Sequence, residues 1–373
     1  DGVAQTGVSI HWMAAGLDTG DVILQRAVPI PTFASLMGVR LRQDAAAAEL
    51  LVEALRRLDA GDAPAAPQGQ ASTPTRSRPP WLLARRVRRR LARRRAREAR
   101  GRAGLRRAAK AVALWAYVRL WAPLRNLLHG LAGRCHATVL LYHRVSDEFL
   151  DSVTVGVEQF DRQLALLGRR YEVLDLPAFL ASAGRARRRP VVVLTFDDGY
   201  EDNFLAARLL RRHGLPCTFF ICTRIVGTDR AFPHDLKRLG RAVPALSWPQ
   251  VRLMRDWGFR FGIHTASHAN VASLPLADSL AEIRDAMDDL RREVGPAGGE
   301  QWFAFPYGRP RDISDDVRRA LRETGVTVCL SACGGVNAPR FDPLDVRRQG
   351  IDCRFSDLAF LAAVEGWQVR DRP

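Results

Sequence analysis

Two adjacent carboxylates, Asp197 and Asp198, end the apolar run Val191-Val192-Val193-Leu194-Thr195-Phe196, which has Pro190 in front and is followed by Gly199. A β-branched run between chain breakers reads as a strand buried on both faces, as in a parallel sheet. In such sheets the C-terminal ends of the strands are where catalytic groups collect. Successive side chains on an extended chain point in different directions, so the two acids can take different tasks, one holding a cation and the other handling a proton. Taken alone, the pair reads equally well as a surface Asp-Asp turn. A second cluster shifts the balance: His264 and His268, four apart in Gly262-Ile263-His264-Thr265-Ala266-Ser267-His268, follow the apolar stretch Phe259 to Phe261. Two imidazoles and one carboxylate are the usual protein ligands of a catalytic divalent cation, with positions left open for water and substrate.

A third piece, Trp302-Phe303-Ala304-Phe305-Pro306-Tyr307-Gly308-Arg309-Pro310, is a short apolar run ending in a turn. In this order and at this spacing the three pieces resemble the polysaccharide deacetylase (NodB-homology) family, over about residues 136 to 355. Thr195-Phe196-Asp197-Asp198-Gly199 matches its first motif and His264-Thr265-Ala266-Ser267-His268 its second; Phe305-Pro306-Tyr307-Gly308 matches a variant of its third. The family's late histidine has no counterpart after His268. Leu140-Leu141-Tyr142-His143 stands upstream instead, at the end of a predicted strand from Ala137 to Tyr142. That order resembles the circularly permuted branch of the family, with His143 as the general acid; the alternative is a barrel-end histidine that only packs. Two departures stand out. Ala304 occupies a position where many members carry an arginine that orients the catalytic aspartate, and the aspartate-tryptophan fourth motif is not recognisable. Arg347, Arg348 and Asp352 lie near the end of the chain without an assigned role.

The resemblance implies an α/β fold, a distorted (β/α)7 barrel. It implies that Asp198, His264 and His268 hold a divalent cation, with Zn²⁺ expected, whose field lowers the pKa of bound water from about 15.7 towards about 7. Asp197 then takes the water's proton, the metal and the backbone N–H of Tyr307 hold the oxyanion, and His143, with a reference pKa of about 6.5, protonates the leaving amine. The substrate class is an N-acetylated glycan, and the products are acetate and a free amino sugar. A second reading, motivated by Ala304 and the missing fourth motif, is a catalytically weakened glycan-binding scaffold at a membrane surface.

The elements that must carry these residues are legible as alternating strands and helices. Helices are predicted over Glu158 to Arg170, Asn203 to His213, Asp278 to Val294 and Asp312 to Glu323, and strands over Cys217 to Cys222 and Val326 to Ser331. Gly214 and Gly325 mark helix ends. Trp248, Trp257 and Trp302 are candidates for a sugar groove, with core packing the better prior for any one of them.

The first part of the chain differs. Gly7 to Met13 and Asp21 to Val28 read as two strands joined by a turn, with a helix from about Leu36 to Leu58. Gly7 to His11, then Gly16-Leu17-Asp18-Thr19-Gly20 and Ile23-Leu24-Gln25, resemble the end of the catalytic domain of folate-dependent formyltransferases. The resemblance implies an assisting role for the aspartate matching Asp18. Without that family's earlier Asn and His motif, the expectation for residues 1–60 is a truncated fragment with Asp18 as a turn residue.

Residues 61–110 read as a linker, first rich in Pro and Ala and then in Arg. Arg85 to Lys110 carries 14 Arg and Lys against the single acid Glu98, a net +13 of the formal +17, which leaves +4 for everything else. Binding to a polyanion is thereby localised to this run. An amphipathic helix over 111–132 follows, interrupted by Arg119, Pro123 and Arg125, which argues against a membrane span. Together, residues 85–131 suit an anionic membrane surface, or else the apolar stripe packs on the barrel. Nucleic acid is disfavoured, because the basic run lacks interleaved aromatics and any recognised binding fold. The deacetylase domain is assigned to residues 136–373. Six cysteines without a Cys-x-x-Cys pair fit a reducing compartment. No signal peptide is visible at Asp1, and the expected location is cytoplasmic or peripheral on the cytoplasmic membrane face.

Overall fold

A computed structural model describes residues 5–11, 22–30, 36–60, 111–148, 151–295, 299–313 and 315–367. The turn around Asp18 and the linker over 61–110 lie outside the described residues. The chain divides into two compact units, Asp1–Ala109 and Lys110–Pro373. In the first, β1 (Gln5–His11) and β2 (Val22–Pro29) form an antiparallel hairpin with Thr6 opposite Val28 and Ile10 opposite Leu24. Helix α1 (Leu36–Asp59) covers it, burying Leu41, Leu50 and Ala54, and Gln43 Nε2 donates to Thr6 Oγ1 at 2.8 Å.

The second unit opens with a helical segment at 111–131, here α2. Its middle widens into a π turn, Tyr117–Trp121, before the α-helical Ala122–Leu131. Pro123 explains the widening: it has no N–H to donate, and its ring crowds the carbonyl of Arg119. The inward side of α2 buries Leu114 and Val118 against Leu361 and Ala362. Glu365 pins that side: its carboxylate accepts from Arg125 (2.6 Å), Asn126 (2.9 Å) and Tyr171 (2.7 Å), and its backbone carbonyl accepts from Tyr117 Oη at 2.8 Å.

Strands then alternate with helices: β3 (Ala137–Tyr142), the two-residue pair β4 (Arg144–Val145) and β5 (Thr154–Val155), α3 (Val157–Arg170), β6 (Glu172–Leu174), α4 (Leu176–Ala181), β7 (Val191–Phe196), α5 (Asp202–His213), β8 (Thr218–Ile221), α6 (Pro233–Leu239), α7 (Trp248–Asp256), β9 (Arg260–Ile263), α8 (Leu276–Val294), β10 (Trp302–Ala304), α9 (Asp315–Leu321), β11 (Val328–Leu330), β12 (Arg348–Gly350) and α10 (Asp357–Val364). The main sheet is parallel, in the order β11-β10-β9-β8-β7-β3-β12, with β6 also paired to β7. A parallel bridge from Leu330 to Val346 joins the two ends of this path, so the seven strands close into a nearly complete barrel. The observed elements follow the predicted ones to within a few residues. The helix predicted over Asp312 to Glu323 begins three residues later, at Asp315, and ends in a 3-10 turn, Arg322–Thr324, before Gly325 turns left-handed at φ 88°.

Period-two alternation decides which side chains enter the barrel. Ala137 and Val139 on β3, Val191 and Val193 on β7, and Phe220, Ala304, Val328, Leu330 and Val346 share one buried cluster. The opposite parity forms an aromatic ladder. Tyr142, Phe196, Phe219 and Phe261 lie directly across from one another on β3, β7, β8 and β9, and their rings stack at centroid separations of 5.2, 5.2 and 5.7 Å. Stacked pairs of this kind contribute about 0.5–1.5 kcal/mol each beyond area burial. A one-residue slip would turn these rings into the barrel, so the ladder fixes the register of the strands that deliver the site. Of the three tryptophans, Trp302 is buried in the core cluster, Trp257 stacks on Phe204 at 5.3 Å, and Trp248 packs beneath Gly227.

His136, just before β3, lies with Nε2 3.9 Å from Glu365 Oε2. Burial pushes its imidazole down to about 4, Arg125 and His129 act in the same direction, and Glu365 and the Val364 carbonyl oppose them. The unfolded chain takes up this proton near pH 6.5 and the folded chain does so only near 4, so stability is lost as pH falls through that interval. Thermal melts at pH 7 and pH 5 are expected to show a smaller acid-side drop for His136→Gln than for the parent chain.

Candidate metal centre and active site

Strand parity puts Asp197 on the same side as Val191, Val193 and Thr195, facing the barrel interior. Asp197 N–H donates to the Tyr142 carbonyl at 3.0 Å, so β7 stays paired to β3 up to the site, and His143 follows directly at the end of β3. Asn203 Nδ2 donates to the His143 carbonyl at 2.7 Å and holds that residue in place. Directly after β9, the His264 N–H donates to the Ile221 carbonyl at 3.0 Å and brings the His264-to-His268 turn to the same end of the barrel. Glu282 on α8 secures this turn, accepting from Ser267 N at 2.9 Å and Ser267 Oγ at 2.8 Å.

Asp198, His264 and His268 converge. Each is buried, and one ligand atom from each lies within 4.8 Å of the others. Asp198 Oδ1 is 3.4 Å from His264 Nε2 and 3.2 Å from His268 Nε2. The Ala304 carbonyl, 2.8 Å from His264 Nδ1, can only accept, so Nδ1 carries a proton, and in the neutral ring that a metal requires Nε2 turns its lone pair towards Asp198. Asp198 Oδ1 is a buried oxygen without a hydrogen-bond partner among the described residues. Lone pairs facing one another in a buried space require a positive charge among them, and a divalent cation with one oxygen and two nitrogen ligands fits. Burial opposes a charged His264, but Asp197 and Asp198 outweigh it and hold the group above its ordinary value. Burial likewise pushes against an ionised Asp198, and His268, His264 and His143 overcome it and hold the carboxyl well below its usual range. The His143 imidazole is pushed down by burial against the pull of Asp198 and Asp197.

Asp197 has a different partner. Arg348 on β12 grips it with two parallel bonds, NH1 to Oδ1 at 2.6 Å and NH2 to Oδ2 at 2.7 Å. The guanidinium is fully buried, its Nε donates to the Ser331 carbonyl at 3.0 Å, and it lies 5.6 Å from the Phe220 ring centre. The arginine absent at Ala304 is thus matched by one that enters from the last strand, where β12 pairs with β3 and Arg348 lies opposite Val139. Of the other two unassigned residues, Arg347 is exposed and Asp352 pairs with Arg354, outside this cluster. Sequence reasoning had no means to select Arg348: a three-residue strand carries no periodicity, and a charged residue is not a core signal. The one available cue was an aspartate left without its expected partner.

Phe305-Pro306-Tyr307-Gly308 leaves β10 and brings the Tyr307 ring to 5.0 Å from the ring of His268. A Cβ on Gly308 would meet the Ala332 nitrogen at 2.7 Å, so the turn there admits no side chain. His234, unforeseen in the sequence, lies 4.7 Å from His268 between ring centres. It is set there by a buried polar chain in which its Nε2 is 3.0 Å from Tyr200 Oη, Tyr200 donates to Asp235 at 2.7 Å, and Asp235 pairs with the fully buried Arg144 at 2.9 Å. Among the described residues, the non-glycine residues with positive φ are Asp198 (75°), Thr265 (60°), His268 (65°) and Tyr307 (61°), all of them in the three motifs. Left-handed backbone is costly for such residues, and its confinement to one place marks a site that the surrounding packing over-determines.

Comparison with known proteins agrees with this fold. Residues 184–329 match the polysaccharide deacetylase family model, and residues 1–55 match formyl transferase. Among solved structures, the chain is similar to the Streptococcus pyogenes deacetylase PplD in complex with acetate (TM-score 0.51, 21% identity, 61% of this chain and 98% of that one). It is also similar to IcaB from Ammonifex degensii (TM-score 0.50, 22% identity, 62% and 98%). At such identities these likenesses establish the fold. The N-terminal residues are similar to methionyl-tRNA formyltransferases of Symbiobacterium thermophilum (48% identity over 69 residues, 18% of this chain and 21% of the relative) and Moorella thermoacetica (42% over 71 residues, 19% and 23%). The chain therefore spans about a fifth of the length of the curated relatives it matches.

Removing one partner of a buried ion pair strands the other charge, which costs about 3–5 kcal/mol. Arg348→Met is expected to lose that much in urea unfolding, and Asp197→Asn combined with Arg348→Met should regain most of it. Additive losses in the double variant would mean that the fork does not carry the stability of this region.

Proposed function

We propose that this chain, which carries a polysaccharide deacetylase domain, removes N-acetyl groups from amino sugars of a polysaccharide or glycan precursor by metal-dependent hydrolysis. The observation that carries the reading is the convergence of Asp198, His264 and His268 beside an Asp197 held separately by Arg348. Asp198, His264 and His268 would hold a divalent cation, with Zn²⁺ our choice, which supplies polarisation of the amide carbonyl and acidification of water when bound. Asp197 accepts the proton of the attacking water. The Arg348 fork holds its carboxylate at one angle and keeps it from becoming a fourth ligand. The backbone N–H of Tyr307 donates to the carbonyl oxygen as negative charge grows there. His143 delivers a proton to the departing nitrogen, so water and amide become acetate and a free amine. The scaffold alternative drew on Ala304 and on the unrecognised fourth motif, and the grip of Arg348 on Asp197 removes the first of these motives.

The basic run over 85–110 adds a location. We infer that the protein works peripherally at an anionic membrane surface, with the cytoplasmic face as the proposed side. The Asp18 region is proposed to have no formyl-transfer role in this chain.

Metal analysis and acetate release from N-acetylglucosamine oligomers test the activity together. Asp198→Ala should lose both the bound metal and turnover. Asp197→Asn should keep the metal and lose about 10²- to 10⁴-fold in kcat. Metal content and turnover unchanged in a folded Asp198→Ala variant would refute the proposal.

A further inference from the structure

Helix α2 has two apolar sides, and the barrel accounts for one of them. Leu114 and Val118 are buried against α10, and Arg125 and Asn126 are bound to Glu365. The other side presents Trp115, Leu120, Trp121, Leu124, Leu128 and Leu131, from 51% exposed at Leu124 to 81% at Leu131. Single exposed apolar residues are ordinary, but a row of leucines and tryptophans along one helix marks an interaction surface. Between 111 and 131 the sequence has no Asp or Glu; besides Arg125, and Tyr117 which is bonded to Glu365, its titratable groups are Arg119 and His129.

Charge complementarity names the occupant. The segment feeding into α2, residues 85–110, has 14 basic residues and one acid. A second copy of the chain seated on this face would bring two such runs together, and their repulsion opposes it. A soluble polyanion would satisfy the charge and leave the tryptophans in water. An anionic bilayer satisfies both at once, with phosphates for the arginines and the headgroup boundary for amphipathic tryptophan rings.

We propose that the outward face of α2 lies in the headgroup and acyl boundary of an anionic bilayer, while its inward face, through the Arg125–Glu365 pair, fixes the catalytic barrel to that surface. The assignment rests on the peripheral reading above and adds the inserting face and the coupling to the barrel. The basic run alone would tether the barrel loosely; a helix bonded on both sides sets its orientation.

Flotation of the full chain with phosphatidylcholine vesicles, with and without one quarter phosphatidylglycerol, at near-physiological salt tests the proposal. The chain should float with the anionic vesicles. Brominated acyl chains should quench its tryptophan fluorescence, and Trp115→Phe with Trp121→Phe should abolish that quenching. Leu124→Glu with Leu128→Glu should reduce partitioning by at least about tenfold, since each removes a buried leucine from the apolar phase, and the exposed positions should leave the melting temperature unchanged. Flotation without quenching, indifferent to these variants, would overturn the inserted face and leave the basic run as the contact. No flotation with either vesicle would overturn the peripheral reading as well. A concentration-dependent dimer lost in Leu124→Glu with Leu128→Glu would assign the face to a second copy. Acetate release from soluble oligomers, measured alongside, keeps the deacetylase reading separate from each result.

Discussion

Two neighbouring carboxylates buried at the end of one strand cannot both stay ionised without compensation, since an isolated buried charge costs far more than a fold can supply. The chain answers the two charges differently. Asp197 receives a guanidinium through a bidentate fork from β12. Asp198 receives two imidazole nitrogens and no hydrogen on Oδ1. The first arrangement is complete as it stands. The second is complete only with a cation, or with protons that the imidazoles would have to take up. This difference is the basis of the proposed division of labour between the two acids: the carboxylate that Arg348 holds at a fixed angle is the proposed proton acceptor, and the one facing two imidazole nitrogens the proposed metal ligand.

Holding that arrangement takes four strands and three turns in a fixed relation. The aromatic ladder through Tyr142, Phe196, Phe219 and Phe261 registers β3, β7, β8 and β9 just below the site. The short β12 adds Arg348 on the far side of β3. Left-handed backbone at Asp198, Thr265, His268 and Tyr307 costs of order 1–3 kcal/mol per residue and is sustained by this packing. Stability is in this sense spent where the strand ends must turn their side chains towards one point. The Glu365 cluster under α2 is a second place where buried charge is matched group by group, and it ties the segment before the barrel to the helix after the last strand.

Much of this was legible before the structure. The β-branched run to Phe196 is a central strand, and the helices with apolar residues at helical spacing formed within a few residues of their expected bounds, because burial on one face determines both patterns. Asp197, Asp198, His264, His268, His143 and Tyr307 are brought to one end of the barrel as their positions after strands suggested. What stayed hidden depends on tertiary contact. Arg348 sits in a three-residue strand with no pattern of its own, and it acquires its partner only when β12 closes against β3. His234 reaches the site through Tyr200, Asp235 and Arg144, a chain of contacts between residues up to 91 apart in sequence. The two-sided character of α2 was likewise ambiguous, because its stripe suited either barrel or bilayer, and the structure gives it one apolar side for the barrel and a second that is exposed.

Asp198, and not Asp197, is proposed to complete a cation site with His264 and His268. X-ray absorption on the zinc-loaded full chain tests it most directly, because the method reads the ligand shell itself. The expected shell contains two imidazole nitrogens at about 2.0–2.1 Å and a carboxylate oxygen at about 2.0–2.2 Å, with the carboxylate contribution lost in Asp198→Asn and retained in Asp197→Asn. A shell that loses its carboxylate in Asp197→Asn, or one with sulfur or without imidazole, would contradict it.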